Sequence, residues 1–313
     1  MRTLVTGGAG FIGSHLIEAL LCDPRVTRVR AVDNLCTGKL ENIRHCLKRI
    51  EFIQGDLLDA GVREKVFDGI DIVFHEAAIP SVPRSVKDPI TSHLAGDHLT
   101  LHVLESARRA NAKRLIYAGS SSAYGDTEVL PKVETMAPNP RSPYAVSKLA
   151  GEYYAAVYAR CYPIDTVTLR YFNVFGPRQD ESSPFSAVIA RFCSAFKRNE
   201  PLVIHADGTQ SRDFCHIENV VSANLLAAFS SKPLGGEVLN IGCGERHTLI
   251  QMVELLNELS GEKRVPQFAP PRPGDVKHSQ ADITRAREVL GYEPRVRFKE
   301  GLAKTFEWYK KNA

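Results

Sequence analysis

TLVTGGAGFIG, residues 3–13, is the stretch from which the fold is read. Thr3-Leu4-Val5-Thr6 is a short apolar strand, Gly7 to Gly13 is a glycine turn, and Ser14 to Leu21 carries apolar residues at helical spacing. Strand, glycine turn and helix in that order open a dinucleotide-binding unit. Glycine permits the tight turn and lets backbone approach a pyrophosphate, which then rests on the helix N-terminus. Gly7, Gly10, Phe11, Ile12 and Gly13 are the candidate contacts, at the spacing Gly7-x-x-Gly10-x-x-Gly13 rather than G-x-G-x-x-G.

The strands that follow extend the same unit. Val29 to Val32 ends in Asp33, twenty residues after Gly13, with Asn34 beside it. A carboxylate there accepts hydrogen bonds from ribose hydroxyls and repels a 2′-phosphate, so NAD is expected rather than NADP. Ile50 to Ile53 leads to Gly55-Asp56-Leu57; Asp56 suits an adenine-edge contact and equally a helix cap. Asp71 to His75 is another strand, and Ala77 and Ala78 after it are small enough to let backbone pack on the nicotinamide side. Ser81 to Ser85 is a loop beyond that strand's carboxyl end, where ligands of open α/β sheets sit, and Ser81 and Val82 are candidates to line a sugar pocket. Residues 90–112 read as one helix with Leu94, Leu101, Leu104 and Ala107 on one side.

Arg114 to Ala118 is a strand that ends in Gly119-Ser120-Ser121-Ser122-Ala123-Tyr124-Gly125, and SPYAVSK (142–148) follows a long loop. Tyr144 and Lys148 are four apart, so on a helix they share one face. A fixed ammonium favours the phenolate, and a phenolate at neutral pH is a usable general base. A serine at the strand's end can hold a substrate oxygen while Tyr144 moves its proton and Lys148 holds the nicotinamide ribose. Alternating strands and helices predict an α/β fold with a Rossmann-type doubly wound parallel sheet. The alternation turns irregular after Val167 to Arg170. The expected division is therefore an NAD-binding domain at 1–172 and a smaller α/β substrate domain at 173–313, with a return segment near 215–243 packing on the first.

Composition excludes other classes. The chain has 313 residues, 43% hydrophobic and 24% charged, which fits an ordinary globular protein. Its net charge of +4 is spread out, with no Lys/Arg block to mark a nucleic-acid or membrane surface. Seven cysteines are scattered without a C-x-x-C pair, against a disulfide framework or zinc site and in keeping with a reducing cytoplasm. No apolar signal core stands near Arg2, and no run approaches the roughly 18 apolar residues of a membrane span. A cytoplasmic protein is expected.

TGGAGFIG (6–13), DN (33–34), GDL (55–57), HEAA (75–78), SSSAYG (120–125), SPYAVSK (142–148) and LRYFNVFGPRQ (169–179) together resemble the extended short-chain dehydrogenase/reductase family, in particular its nucleotide-sugar epimerases. The resemblance implies bound NAD, with Asp56, Leu57 and Phe172 among its contacts, and Ser120 as the catalytic hydroxyl; Ser121 or Ser122 could share that role on the sugar side. It further implies a UDP-sugar whose diphosphate is met by Asn173, Arg212 and Arg272, with Asp275 on the nucleoside ribose and no metal. At Ser279 the family's enzymes confined to UDP-glucose and UDP-galactose carry a tyrosine; a serine leaves room for an N-acetyl group. With SVPRS (81–85) and SRDFCHIEN (211–219), this looks most like the bacterial UDP-N-acetylglucosamine 4-epimerases, with a UDP-glucuronate 4-epimerase as the alternative. The family's 4,6-dehydratases place Asp-Glu directly after the catalytic hydroxyl, where Ser121-Ser122 stand here. Pairing through the helices at 90–112 and 143–161 implies a homodimer. One departure stands out: the usual N-V-x-G-T is Gly96-Asp97-His98-Leu99-Thr100, and a later asparagine is His102.

Overall fold

Seven parallel strands form one sheet among the described residues of this computed structural model, which are 1–181, 188–271 and 276–312. They are β1 (Arg2–Thr6), β2 (Arg28–Asp33), β3 (Glu51–Gln54), β4 (Ile72–His75), β5 (Arg114–Ser120), β6 (Asp165–Tyr171) and a last strand at Glu237–Ile241. In space the order is β3-β2-β1-β4-β5-β6, with Glu237–Ile241 outside β6. This is the doubly wound α/β arrangement that the strand–turn–helix pattern predicts, with its topological switch between β1 and β4.

β4 and most of β5 are apolar on both faces, as a parallel sheet covered on both sides requires, whereas β6 turns Thr166 and Arg170 toward the helix Pro143–Cys161. Val5, Phe74, Ile116 and Leu169 face a core made with α1 (Phe11–Cys22) and the helix Ile217–Ala228. Their neighbours Leu4, Val73, Leu115 and Tyr117 face the other core, made with α2 (Ala60–Phe67), α5 (Leu99–Arg109) and α6 (Pro143–Cys161), while the pair α3 (Val82–Lys87) and α4 (Pro89–His93) packs on α6. A third core joins Phe192, Phe196, Met252, Leu256, Phe298, Leu302 and Phe306 in the C-terminal part. No helix among the described residues is long and apolar enough to cross a membrane.

Register aligns the functional ends. Thr6 pairs with Val32 and with His75, and Ser120 pairs with Tyr171. The residues that follow β1, β2, β4, β5 and β6 therefore emerge on one edge of the sheet.

Three expectations change. The helix predicted over 90–112 is broken: α4 and α5 are separated by a wide, π-type turn at Leu94–His98, where Gly96 has φ −105 and ψ −106. Its buried face is Leu99, Thr100, Val103, Leu104 and Ala107, while Leu94 is exposed, because the turn rotates α5 relative to α4. The loop expected at Ser81 to Ser85 is mostly helix α3, begun by Ser81, whose hydroxyl accepts from Arg84 N at 3.2 Å. Asp56 caps no helix; α2 is capped by Asp59, which accepts from Val62 N at 3.0 Å.

Candidate active site

The glycine turn is shaped by what lies against it. Gly7 has φ +67, and a Cβ there would come within 2.9 Å of the Ala77 backbone; one on Gly13 would come within 2.2 Å of the Gly7 carbonyl. Gly10 N donates to Gly7 O at 3.0 Å, and no side chain caps α1. The first N–H groups of that helix, at Phe11 and Ile12, are thus left facing outward as an anion site. Asp33 accepts from Ala9 N at 3.0 Å and Leu35 N at 2.8 Å, so it also braces the turn. Burial raises its acid above the usual value. Asn34 donates to Asp56 at 3.1 Å, and the other Asp56 oxygen accepts from Leu58 N at 2.8 Å. Leu57 is core.

Ser142 begins α6 by accepting from Ala145 N at 3.2 Å, with Pro143 in the first turn. That cap, typically worth about 1 kcal/mol, sets the phase in which Tyr144 and Lys148 face inward. Tyr144 lies beside Ser120, and burial holds its phenol above the ordinary value. Ser120 Oγ also receives Ser122 Oγ at 2.8 Å and Ser122 N at 3.2 Å. Ser121 shares the short turn Ser121–Tyr124 with Ser122. Lys148 is buried, donates to Ala118 O at 2.8 Å, and is pulled down to about 8, mostly by burial, with Glu76 opposing. One turn further, Glu152 is held by Arg170 of β6 at 2.5 and 2.8 Å, which locks α6 to the sheet.

A second group gathers just beyond β6. Asn173 Nδ2 reaches Ser279 Oγ at 3.5 Å and Asp213 O at 3.3 Å. Ser211 O accepts from Ser279 N at 3.0 Å, and Ser279 O from Asp213 N at 2.8 Å, so Ser279 lies alongside the segment that carries Arg212. Arg212 donates to Ser211 O and Lys277 O, both at 3.0 Å. Asn173, Arg212 and Ser279 are therefore brought together. Arg272 and Asp275 lie outside the described residues. Ala77, Ala78, Ser81 and Val82 are half-buried on the sheet edge, whereas Phe172 is wholly buried against Tyr124.

A family model described as the NAD dependent epimerase/dehydratase family matches residues 3–242. The UDP-glucose 4-epimerase of Mycolicibacterium smegmatis is 37% identical, with 99% of each chain covered. The chain belongs to the NAD-dependent epimerase/dehydratase family. Among solved structures, the UDP-N-acetylglucosamine 4-epimerase of Methanobrevibacter ruminantium, in complex with UDP-N-acetylmuramic acid, is 38% identical at TM-score 0.93, covering 100% of this chain and 99% of that one. The UDP-glucuronic acid 4-epimerase of Bacillus cereus, in complex with UDP-glucuronic acid and NAD, is 35% identical at TM-score 0.92, with 100% of each covered. The resemblance drawn from the motifs is borne out at the level of the family.

This family's cofactor is NAD, and the chain's cradle fits it: glycines where a side chain would collide, an uncapped helix start, and a carboxylate at the end of β2. The departure at Gly96 has a packing cause. A Cβ there would fall 2.6 Å from Ser147 Oγ and 2.7 Å from Ser147 Cβ, so glycine lets the chain press against α6 between Tyr144 and Lys148. Sequence reasoning missed two buried hubs. His75 bonds Thr6 Oγ1 at 2.8 Å and Thr100 Oγ1 at 3.1 Å, and burial brings it down to about 3. Asp213 accepts from Cys243 N, Gly244 N and Ala281 N at 2.8 to 3.0 Å, while burial raises its acid to about 7. Only a buried polar residue inside a recognised motif (HEAA, SRDFC) hinted at either.

Proposed function

We propose that this enzyme reversibly epimerises UDP-sugars at C4, with UDP-N-acetylglucosamine and UDP-N-acetylgalactosamine as its preferred pair. The observation that carries the reading is the meeting of Ser120, Tyr144 and Lys148 on the sheet edge, with Asn173, Arg212 and Ser279 clustered two residues beyond β6. Relatives named as UDP-glucose, UDP-N-acetylglucosamine and UDP-glucuronate 4-epimerases support the reaction class. Ser279, 9% exposed, is small enough to leave space where a tyrosine would fill it.

In this reading Ser120 holds the sugar O4 and Tyr144 takes its proton. The buried phenol needs a cation to ionise, and Lys148 supplies it one turn along α6. NAD, when bound, would supply the hydride-accepting and hydride-donating chemistry at C4. Asn173 and Arg212 keep the diphosphate in place while the 4-keto sugar turns about its phosphate linkage to present its other face. Tyr144 then returns the proton. Residues 1–172 serve the cofactor and 173–313 the sugar, with the return segment joining the first through the pairing of Glu237–Ile241 with β6. Seven free thiols suit the reducing cytoplasm. Ile90 and Leu94, with Val146, Tyr153 and Val157 of α6, leave apolar surface exposed, which suits a homodimer.

The test is to incubate purified protein, without added cofactor, with UDP-N-acetylglucosamine, UDP-glucose and UDP-glucuronate separately, and to resolve the 4-epimers. A higher kcat/KM for UDP-N-acetylglucosamine, lost in Ser279→Tyr while UDP-glucose turnover survives, is expected. Conversion of UDP-glucuronate alone would overturn the sugar assignment.

A further inference from the structure

Glu76 follows β4 directly, and no step above uses it. Its Oε1 accepts from the Tyr171 hydroxyl at 2.9 Å; that hydroxyl accepts from Asn224 Nδ2 at 2.8 Å, and Asn224 also bonds Val220 O at 2.9 Å. This chain of bonds ties the end of β4 to β6 and to the helix Ile217–Ala228. The other oxygen, Oε2, is shut off from solvent and has no hydrogen-bond partner among the described residues. A carboxylate enclosed in this way is unfavourable unless a charge offsets it. Lys148 is the nearby cation: one of its three donors goes to Ala118 O at 2.8 Å, and Ala118 and Glu76 directly follow Tyr117 and His75, which pair across β5 and β4; no ion pair joins Lys148 and Glu76 among the described residues. The titratable groups facing Glu76 are Tyr171 from β6 and Lys148 from α6. Its neighbour His75 is turned to Thr6 and Thr100 instead.

We propose that Glu76 is a positioning residue of this site that acts through Lys148, keeping the ammonium charged and in place and so setting the pH range over which Tyr144 works as a base. The proposal rests on the epimerase reading above. Burial raises the Glu76 acid to about 7 and lowers Lys148 to about 8, and in each case the partner's charge opposes the change. Without the carboxylate, Lys148 loses its proton at lower pH.

The experiment compares pH profiles of kcat for the parent holoenzyme, Glu76→Gln and Tyr171→Phe, with bound NAD measured on each preparation. Glu76→Gln is expected to keep NAD and to move the alkaline limb of kcat down by about one pH unit, the scale of one nearby charge. Tyr171→Phe removes one donor to the carboxylate and is expected to move the limb the same way by less. KM for the sugar nucleotide should hardly change in either. An unmoved limb in an NAD-retaining Glu76→Gln overturns the proposal. Where Glu76→Gln comes out without NAD, Tyr171→Phe decides in the same way. Loss of NAD from both variants also overturns it, since Glu76 would then merely brace the backbone against Gly7. A parent that converts no UDP-sugar refutes the epimerase reading instead. The Glu76 proposal is then decided by a carbon-NMR titration of the Lys148 Cε in parent and Glu76→Gln, where identical midpoints overturn it.

Discussion

Replacing Gly96 by alanine should destabilise this protein, although helix propensity alone gives the opposite sign. Alanine in place of glycine normally stabilises a helix by about 1 kcal/mol. Here the added Cβ would stand 2.6 Å from Ser147 Oγ and 2.7 Å from Ser147 Cβ. The hydroxyl can rotate away; the Cβ, fixed to the α6 backbone, cannot. Overpacking of this kind costs about 1–3 kcal/mol, and φ −105 with ψ −106 lies outside the helical region that side chains favour, adding about 1–3 kcal/mol of strain. After subtracting the propensity gain, a net loss of about 1–5 kcal/mol remains, or roughly 2–8 °C in Tm for a chain of this size. Scanning calorimetry of the parent, Gly96→Ala, Ser147→Gly and the double variant reads it. Ser147→Gly removes the opposing atoms, so the double variant should be more stable than the two single losses added together, by about 1–2 kcal/mol. Because Ser147 lies between Tyr144 and Lys148, Gly96→Ala should also lower kcat. A Tm at or above the parent's would falsify the packing account, and so would strict additivity.

Two further outcomes follow from the same geometry. Tyr144→Phe should keep its NAD and lose about 10²–10⁴-fold in kcat, the usual worth of a positioned acid–base group; chromatographic resolution of the epimers measures it, and unchanged turnover rejects the base role. His75 stays neutral down to about 3 in the folded chain, whereas the unfolded chain takes up the proton below about 6.5. Stability present above pH 6.5 is therefore lost as pH falls towards 3, at no more than about 1.4 kcal/mol per unit from this residue. His15, down to about 4 mainly by burial, acts in the same sense. Urea titrations at several pH values should show a shallower acid loss in His75→Gln, and equal slopes in both proteins reject the assignment.

Much of the sheet was legible because its signals are local. A glycine turn between an apolar strand and a helix has few physical alternatives, and Asp33 at the next strand's end follows from strand spacing. The bounds of α6 were legible too, since Ser142 and Pro143 mark its start within the chain. The break at Gly96 was not, because nothing adjacent in sequence announces it; its cause is Ser147, on another helix. Asp56 was ambiguous for a similar reason. Asp56 and Asp59 both stand before α2, and only the folded chain shows that Asp59 caps that helix while Asp56 bonds Asn34.

Local sequence signals carried the order of elements through β6, the dinucleotide cradle and the residue types of the candidate catalytic group, since backbone sterics and periodicity act between near neighbours. Tertiary structure decided how those groups are tuned. Glu76, Lys148, Tyr171 and Asn224 come from four elements, as do Asn173, Asp213 and Ser279 from three stretches of chain. Burial and charge, which set their protonation, act through space at distances that only the packed sheet and its helices establish.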